Sequence, residues 1–337
     1  MAAMAEDVSD RQMQALQARA VQALAHWGLD RQVPVLLKYR ENAVFRVVLA
    51  TGEPAALRLH RPGYRDDRVL ASELAWMSML RTAGLAVPVP VPTPDGRIIV
   101  PLPASPGIDA QHADIVSWMS GSPIGQSGVT LSHDAGQIEA IFHALGAAMA
   151  LMHTAADGWT PPATFHRPSW DSDGLVGEAP LWGRFWDCPG LLPEERAQLT
   201  ALRQSLRRRI SDLPGSLDYG LIHADLVREN VLVNGSDVEL IDFDDAGYGW
   251  RLFDIATALF KNRGEPQFPL IQSALIAGYR TRRPLSDPDL DHLPLFMLLR
   301  SVTYIGWLGE RPDAGDAKRR MRRYVAESLE LGAALAP

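Results

Sequence analysis

Leu221-Ile222-His223-Ala224-Asp225-Leu226-Val227-Arg228-Glu229-Asn230-Val231-Leu232-Val233, followed by Val238-Glu239-Leu240-Ile241-Asp242-Phe243-Asp244-Asp245, is the stretch on which the reading of this chain turns. Each half sets a polar cluster against an apolar, strand-like run, and Asn234-Gly235-Ser236-Asp237 between them has turn chemistry. A β-hairpin here is expected to bring Asp225, Asn230 and Asp242 to neighbouring ends of one small sheet. Phosphoryl transfer needs such a set: one carboxylate to orient a hydroxyl and take its proton, and a second carboxylate with a neutral amide to hold the cation that bridges phosphates. An asparagine suits the middle role because it offers an oxygen without adding negative charge.

Outward from this stretch the texture differs on the two sides. Residues 8–28 have helical spacing, and short β-type runs follow at 33–37, 43–49 and 55–59, the last two joined by Thr51-Gly52-Glu53-Pro54. Residues 66–83 return to helical spacing before Gly84. The valine–proline alternation from Val87 to Pro94 suits an extended connector. A fourth strand is expected over Arg97–Val100 and a fifth over Ile115–Met119. Beyond residue 120 helices dominate, at 138–152, 193–212 and 252–335, around an irregular stretch at 155–192 and short strands at 220–222, 231–233 and 238–241. The 337 residues, about twice a ~150-residue domain, fit this division into a sheet-rich part, 1–118, and a larger helical part, 119–337.

Composition narrows the class. Hydrophobic residues make up 47% and charged residues 22%, which excludes a mostly disordered chain. A net charge of -7 argues against a general nucleic-acid partner. Cys188 is alone, so neither an intrachain disulfide nor a thiolate zinc cluster is expected. The N-terminus carries acids and no apolar core, and no uninterrupted run of about 20 apolar residues occurs, so a cytoplasmic protein without a membrane partner is expected. Only Lys38, Lys261 and Lys318 among 33 basic residues are lysines.

The spacing H-x-D-L-x-x-x-N followed by D-F-x resembles the kinase catalytic-loop pattern, with Ala224 in place of an arginine and Asp244 in place of a glycine. With Gly249-Trp250-Arg251-Leu252-Phe253-Asp254-Ile255-Ala256 downstream, the chain is similar to the aminoglycoside phosphotransferase / choline kinase family, and within it to the stress-response kinase A and homoserine-kinase-like branches. The run Leu57-Arg58-Leu59-His60-Arg61-Pro62-Gly63 is similar to their third strand and its exit. The resemblance implies an α+β, protein-kinase-like bilobal fold and an ATP- and Mg2+-dependent transfer to a hydroxyl. It implies that Asp225 is the catalytic base, that His223 structures the loop, and that Asn230 and Asp242 are magnesium ligands. Ile115, Val116, Ser117, Trp118 and Met119 would form the hinge that reads adenine. Glu41 and Asn42 would begin the phosphate-covering turn, and Asp254 would hydrogen-bond the catalytic-loop backbone, unless it is simply a helix cap.

Three departures bear on the reading. Arg58 stands where the family has a phosphate-gripping lysine, with Glu73 as its natural partner; whether Arg58 or Lys38 meets phosphate is left open, and an arginine fork is no neutral swap. The phosphate-covering turn lacks G-x-G-x-x-G, so Asn42 would supply a local backbone-bonding turn. Ala224 removes the arginine that reads a phosphorylated activation loop. Asp244 and Asp245 divide between an acidic edge facing the acceptor and a solvated loop, and Trp159, Trp170, Trp182 and Trp186 between a cleft lining and loop anchors. The acceptor expected is a small-molecule hydroxyl compound, amine-bearing if Asp287, Asp289, Asp291 or the Trp307–Glu310 pair bind a cation. The alternatives are a protein Ser/Thr acceptor and a catalytically weak nucleotide-binding pseudokinase.

Overall fold

A computed structural model describes residues 10–39, 42–105, 108–235, 237–311 and 316–335. The chain divides into two compact units, one of residues 1–120 with 160–166 and one of residues 121–159 with 167–337.

The first unit is built on a five-stranded antiparallel sheet. Helix α1 (Asp10–Leu24) precedes strands β1 (Val35–Tyr39), β2 (Ala43–Val48) and β3 (Pro54–Leu59), then α2 (Asp67–Thr82), β4 (Val100–Leu102) and β5 (Gln111–Ser117). The strand order is β1-β2-β3-β5-β4. Along β2 the side chains of Ala43, Phe45 and Val47 are buried while Arg46 and Val48 face out, the period-2 alternation of a half-buried strand. Phe45 pairs with Leu57, and both join Ala20, Leu24 and Ile115 in the core. Helix α2 is capped by the Asp66 carboxylate, which accepts the Val69 amide.

Two strand boundaries differ from the sequence expectation. Arg97 is not in a strand: its amide donates to Thr93 Oγ1 and its carbonyl accepts the Thr93 amide, so that residue closes a turn and β4 starts only at Val100. The fifth strand begins at Gln111 rather than Ile115. The polar run Gln111-His112-Ala113-Asp114 reads as loop in one dimension. Within the sheet Asp114 is instead fully buried against Arg58 and His60.

The second unit is mostly helical and holds two three-stranded sheets. In chain order it runs β6 (Ser122–Pro123), α3 (Ala135–Asp157), β7 (Ser169–Trp170), α4 (Ser172–Val176), α5 (Pro193–Ser211), β8 (Tyr219–Ile222), β9 (Val231–Asn234), β10 (Asp237–Leu240), β11 (Gly247–Trp250), α6 (Arg251–Phe260), α7 (Phe268–Arg280), α8 (Asp287–Leu290), α9 (Leu293–Gly309) and α10 (Ala317–Ala334). The sequence reading passes over β6, β7, β11 and α4, all five residues or shorter. Helix α3 has the length and apolar content of a membrane span, and its buried face packs on α7. A Cβ on Gly146 would lie 2.0 Å from the Leu275 carbonyl oxygen, and one on Gly278 would lie 1.9 Å from that of His143. The two helices approach closely because each presents a glycine to the other's backbone.

The expected hairpin forms as β9 and β10, with Val233 opposite Val238 and Val231 opposite Leu240. Asp225, however, does not follow a strand of that sheet. It follows β8, which pairs with β11 in the separate sheet β7-β11-β8. The candidate site is thus assembled between two sheets, held by side-chain hydrogen bonds.

Candidate active site

Two residues other than glycine adopt positive φ among the described residues: Ala224 at 65° and Asp242 at 69°. Both belong to the motif, and for a residue with a Cβ this left-handed conformation is costly and must be held by its surroundings. Asp254 holds the first. It lies inside the first turn of α6, whose cap is Trp250, so it is not the helix cap. Its Oδ2 accepts the His223 amide at 2.8 Å and its Oδ1 the Ala224 amide at 2.6 Å. Burial alone would raise the Asp254 pKa, but the hydrogen bonds from the His153 ring and the His223 amide hold it below the usual range. His153 is equally buried, and its Nε2 meets Asp254 at 3.0 Å while Nδ1 lies 2.9 Å from the Tyr279 hydroxyl. Burial, with Arg251 nearby, lowers His153 to about 4, so the ring is neutral and donates from Nε2 to the carboxylate.

His223 is used entirely within the loop. Its Nε2 lies 3.0 Å from the Ile241 carbonyl, which can only accept, so Nε2 carries the proton and Nδ1 accepts the Asp225 amide. Burial lowers its pKa, in keeping with that neutral tautomer. The ring thereby ties the β8 exit to the residue before Asp242.

Asn230 makes the second tie. Its Nδ2 donates to the carbonyl and to Oδ2 of Asp225, both at 2.9 Å, and its carbonyl accepts the Ile241 amide at 3.0 Å. Because the amide nitrogen is committed to Asp225, Oδ1 points elsewhere and makes no hydrogen bond among the described residues. Asn230 Oδ1 and the Asp242 carboxylate are hard oxygen donors of the kind magnesium takes alongside phosphate oxygens. Among the described residues no group of three or more His, Cys, Asp or Glu side chains forms a metal site by itself. Asp225 is pushed up to about 7, chiefly by burial and by the Asp245 and Asp242 carboxylates, against the opposing charge of Arg300.

Arg300 was not singled out by the sequence reading. It sits fully buried on α9, with Nη2 2.5 Å from Asp225 Oδ1 and 2.9 Å from the Tyr304 hydroxyl, and Nη1 3.1 Å from the Ala224 carbonyl. The signal was present: one arginine interrupts Leu295-Phe296-Met297-Leu298-Leu299-Arg300-Ser301-Val302, and a cation inside an apolar helix needs a partner. Arg167 was missed as well; it donates to the carbonyls of Phe243, Asp244 and Ala246 and shapes the loop after Asp242.

The two acids after Phe243 separate. Asp244 is buried, whereas Asp245 is only part-buried and its Oδ1 accepts Trp182 Nε1 at 3.1 Å. Trp170 donates to the Asp245 carbonyl and stacks on Phe253, so Trp170 and Trp182 both brace this loop. Asp287 pairs with Arg280, and Asp289 bonds Ser286 at the start of α8. The Trp307 ring lies under the Arg311 and Arg320 guanidinium groups, which occupy the face an amine would need.

In the first unit Arg58 finds the partner expected, Glu73 at 2.6 Å, and one that was not. Asp114 takes Nε and Nη2 of the same fork, both at 2.8 Å, and its Oδ2 also meets His60 Nε2 at 2.7 Å. Burial opposes both charges, yet Arg58 and His60 hold Asp114 well below the carboxylate range, and Asp114 with Glu73 holds Arg58 above its own. Asn42 Oδ1 accepts the Arg61 amide, so it bridges to the exit of β3 rather than forming a local turn. Glu41 lies outside the described residues. Of the hinge span, Ile115 and Ser117 already bond Val91 and Val89, and Val116 pairs with Ala56; Trp118 and Met119 lie beyond the strand.

The chain matches the model of the phosphotransferase enzyme family over residues 33–288. The solved structure of a microcompartment-associated aminopropanol kinase is similar at a TM-score of 0.80 and 34% identity, covering 94% of this chain and 96% of that one. A homoserine kinase of Agrobacterium fabrum is 29% identical over 324 residues, 87% of this chain and 89% of the relative. An amicoumacin kinase of Bacillus subtilis is 25% identical over 326 residues, 92% of this chain and 91% of the relative. A helix-rich unit carrying this catalytic loop, a five-stranded antiparallel sheet and these likenesses lead to one conclusion: the chain belongs to the phosphotransferase enzyme family, has a protein-kinase-like fold, and is a kinase that acts on an alcohol group.

Proposed function

We propose that this enzyme moves the γ-phosphate of ATP, with Mg2+, to the hydroxyl of a small amine-bearing alcohol. The observation that carries the phosphotransfer half is the commitment of Asn230 Nδ2 to Asp225, which leaves the amide oxygen to a cation, while the Asn230 carbonyl holds the amide of Ile241, the residue before Asp242. Asp225 is the base: it orients the acceptor hydroxyl and takes its proton as the oxygen–phosphorus bond forms and the β–γ bridging bond breaks, leaving ADP. The cation, when bound, offsets negative charge on the phosphate oxygens. In the first unit, Arg58 has N–H groups on Nη1 and Nη2 beyond those given to Glu73 and Asp114, and these suit a phosphate oxygen.

Two observations support an amine-bearing acceptor. The part-buried Asp245 carboxylate is near enough to Asp225 for its charge to raise that acid's pKa, and a negative charge there suits an ammonium group on the acceptor. The likeness to the aminopropanol kinase is the highest in identity of the three given above. The test is a panel of matched alcohols with Mg-ATP: 1-amino-2-propanol, ethanolamine, homoserine and amine-free 1,2-propanediol. Turnover with an amino alcohol and none with the diol is the expected result. Turnover of the diol at the same kcat/KM would remove the amine from the reading. Phosphate appearing only on a protein substrate would replace the small acceptor.

A further inference from the structure

Asp225 is clamped on both oxygens. Asn230 holds Oδ2 and Arg300 holds Oδ1. The Arg300 guanidinium is itself immobilised: its carbon lies 4.5 Å from the centroid of the Trp182 ring and 4.5 Å from that of Tyr304. Its two terminal nitrogens are spent on Asp225, the Tyr304 hydroxyl and the carbonyl of Ala224, the residue at positive φ. An aspartate's terminal torsion is broad when nothing holds it. A general base, however, must keep one lone pair aimed at the acceptor hydroxyl, and a displacement of about 1 Å costs roughly 10²-fold in rate.

We propose that Arg300 is the positioning residue of the catalytic base: from α9 it fixes the plane of the Asp225 carboxylate and the backbone turn at Ala224, and so sets kcat rather than nucleotide binding. This rests on Asp225 acting as the base, as proposed above. Among the described residues Arg300 hydrogen-bonds Ala224, Asp225 and Tyr304, and neither Asn230 nor Asp242. Its charge acts on Oδ1 of the carboxylate, and the Asp225 side chain still keeps 21% of its surface exposed for an acceptor to reach. A merely structural arginine would instead affect stability and all kinetic constants together.

The experiment measures kcat, KM for ATP and Mg-ATP-induced thermal stabilisation for Arg300→Ala, Arg300→Lys and Tyr304→Phe, with and without millimolar guanidinium chloride. Arg300→Ala is expected to lose roughly 10²-fold in kcat, with KM for ATP within about threefold and the stabilisation retained. Guanidinium, entering the slot between Trp182 and Tyr304, should restore part of that loss, and Arg300→Lys should lie between the two. Tyr304→Phe, which removes one anchor of the guanidinium and keeps the charge, is expected to lower kcat about threefold to tenfold without a change in KM for ATP. An Arg300→Ala enzyme with wild-type kcat would overturn the proposal, as would a folded one that guanidinium does not rescue. Should Arg300→Ala not fold, an unchanged kcat in Tyr304→Phe overturns it. A wild-type enzyme inactive on every alcohol would strike the functional reading itself, which separates the two failures.

Discussion

The Asp254 carboxylate accepts the amide of Ala224 at 2.6 Å, and Ala224 is held at a φ of 65°. The same carboxylate accepts the neighbouring His223 amide through its other oxygen. A buried acid thus stabilises a backbone turn that its own side chain could not favour, and Asp225 is presented at the end of that turn. Replacement of Asp254 by alanine leaves two buried amides and His153 without their acceptor. The expected cost is about 1–3 kcal/mol for each buried donor left unsatisfied, read as a lower urea midpoint. Asp254→Asn keeps one acceptor oxygen and should lose less stability while still lowering kcat. A midpoint unchanged in Asp254→Ala would refute the role assigned to this carboxylate.

His153 gives stability a pH dependence whose sign follows from its burial. Folded, it titrates at about 4, below its ordinary value, so between that value and ~6.5 the unfolded chain binds more protons. The contribution is fully present above about pH 6.5 and is lost as pH falls toward 4, by at most roughly 3 kcal/mol. Urea titrations at pH 7 and pH 5 should show a steeper decline for the wild type than for His153→Gln. Equal slopes for the two proteins would count against a neutral, buried His153.

Arg58→Lys puts back the residue usual at this strand position, and the structure says it will not help. The fork spans Asp114 through two nitrogens and Glu73 through the third. A lysine ammonium is a point donor and cannot hold both fully buried acids in that geometry. The expected loss is about 2–4 kcal/mol, somewhat under the figure for removing a buried partner outright, with KM for ATP raised. A melting temperature equal to or above that of the wild type would contradict the network.

Asp225→Ala and Asp242→Ala should fail differently. The first removes the proposed base and is expected to lose roughly 10²–10⁴-fold in kcat, with Mg-ATP still stabilising the fold. The second removes a proposed cation donor, so stabilisation by Mg-ATP should shrink; at a ligand concentration of 100 Kd a bound site is worth about 2.7 kcal/mol. Calorimetric scans with ATP, magnesium and EDTA distinguish the two variants. The same response in both would mean that base and donor are wrongly divided.

The sequence by itself determined what neighbours along the chain can encode. The spacing from His223 to Asn230 and on to Asp242 specified the loop and its chemistry, the Asn234-Gly235 turn specified the β9–β10 hairpin, and apolar periodicity placed the long helices. It did not determine the shortest strands or the burial of polar segments. Asp114 reads as loop until Arg58 and His60 are beside it, and β8 reads as part of the hairpin sheet until β11 claims it. Arg300 and His153 are further cases, since the acid each one serves lies in another element, 75 and 101 residues away. The physical reason is that turns, caps and periodic faces arise from interactions within a few residues. A buried charge is viable only with a counter-charge, and which residue supplies it is decided when the helices and sheets pack.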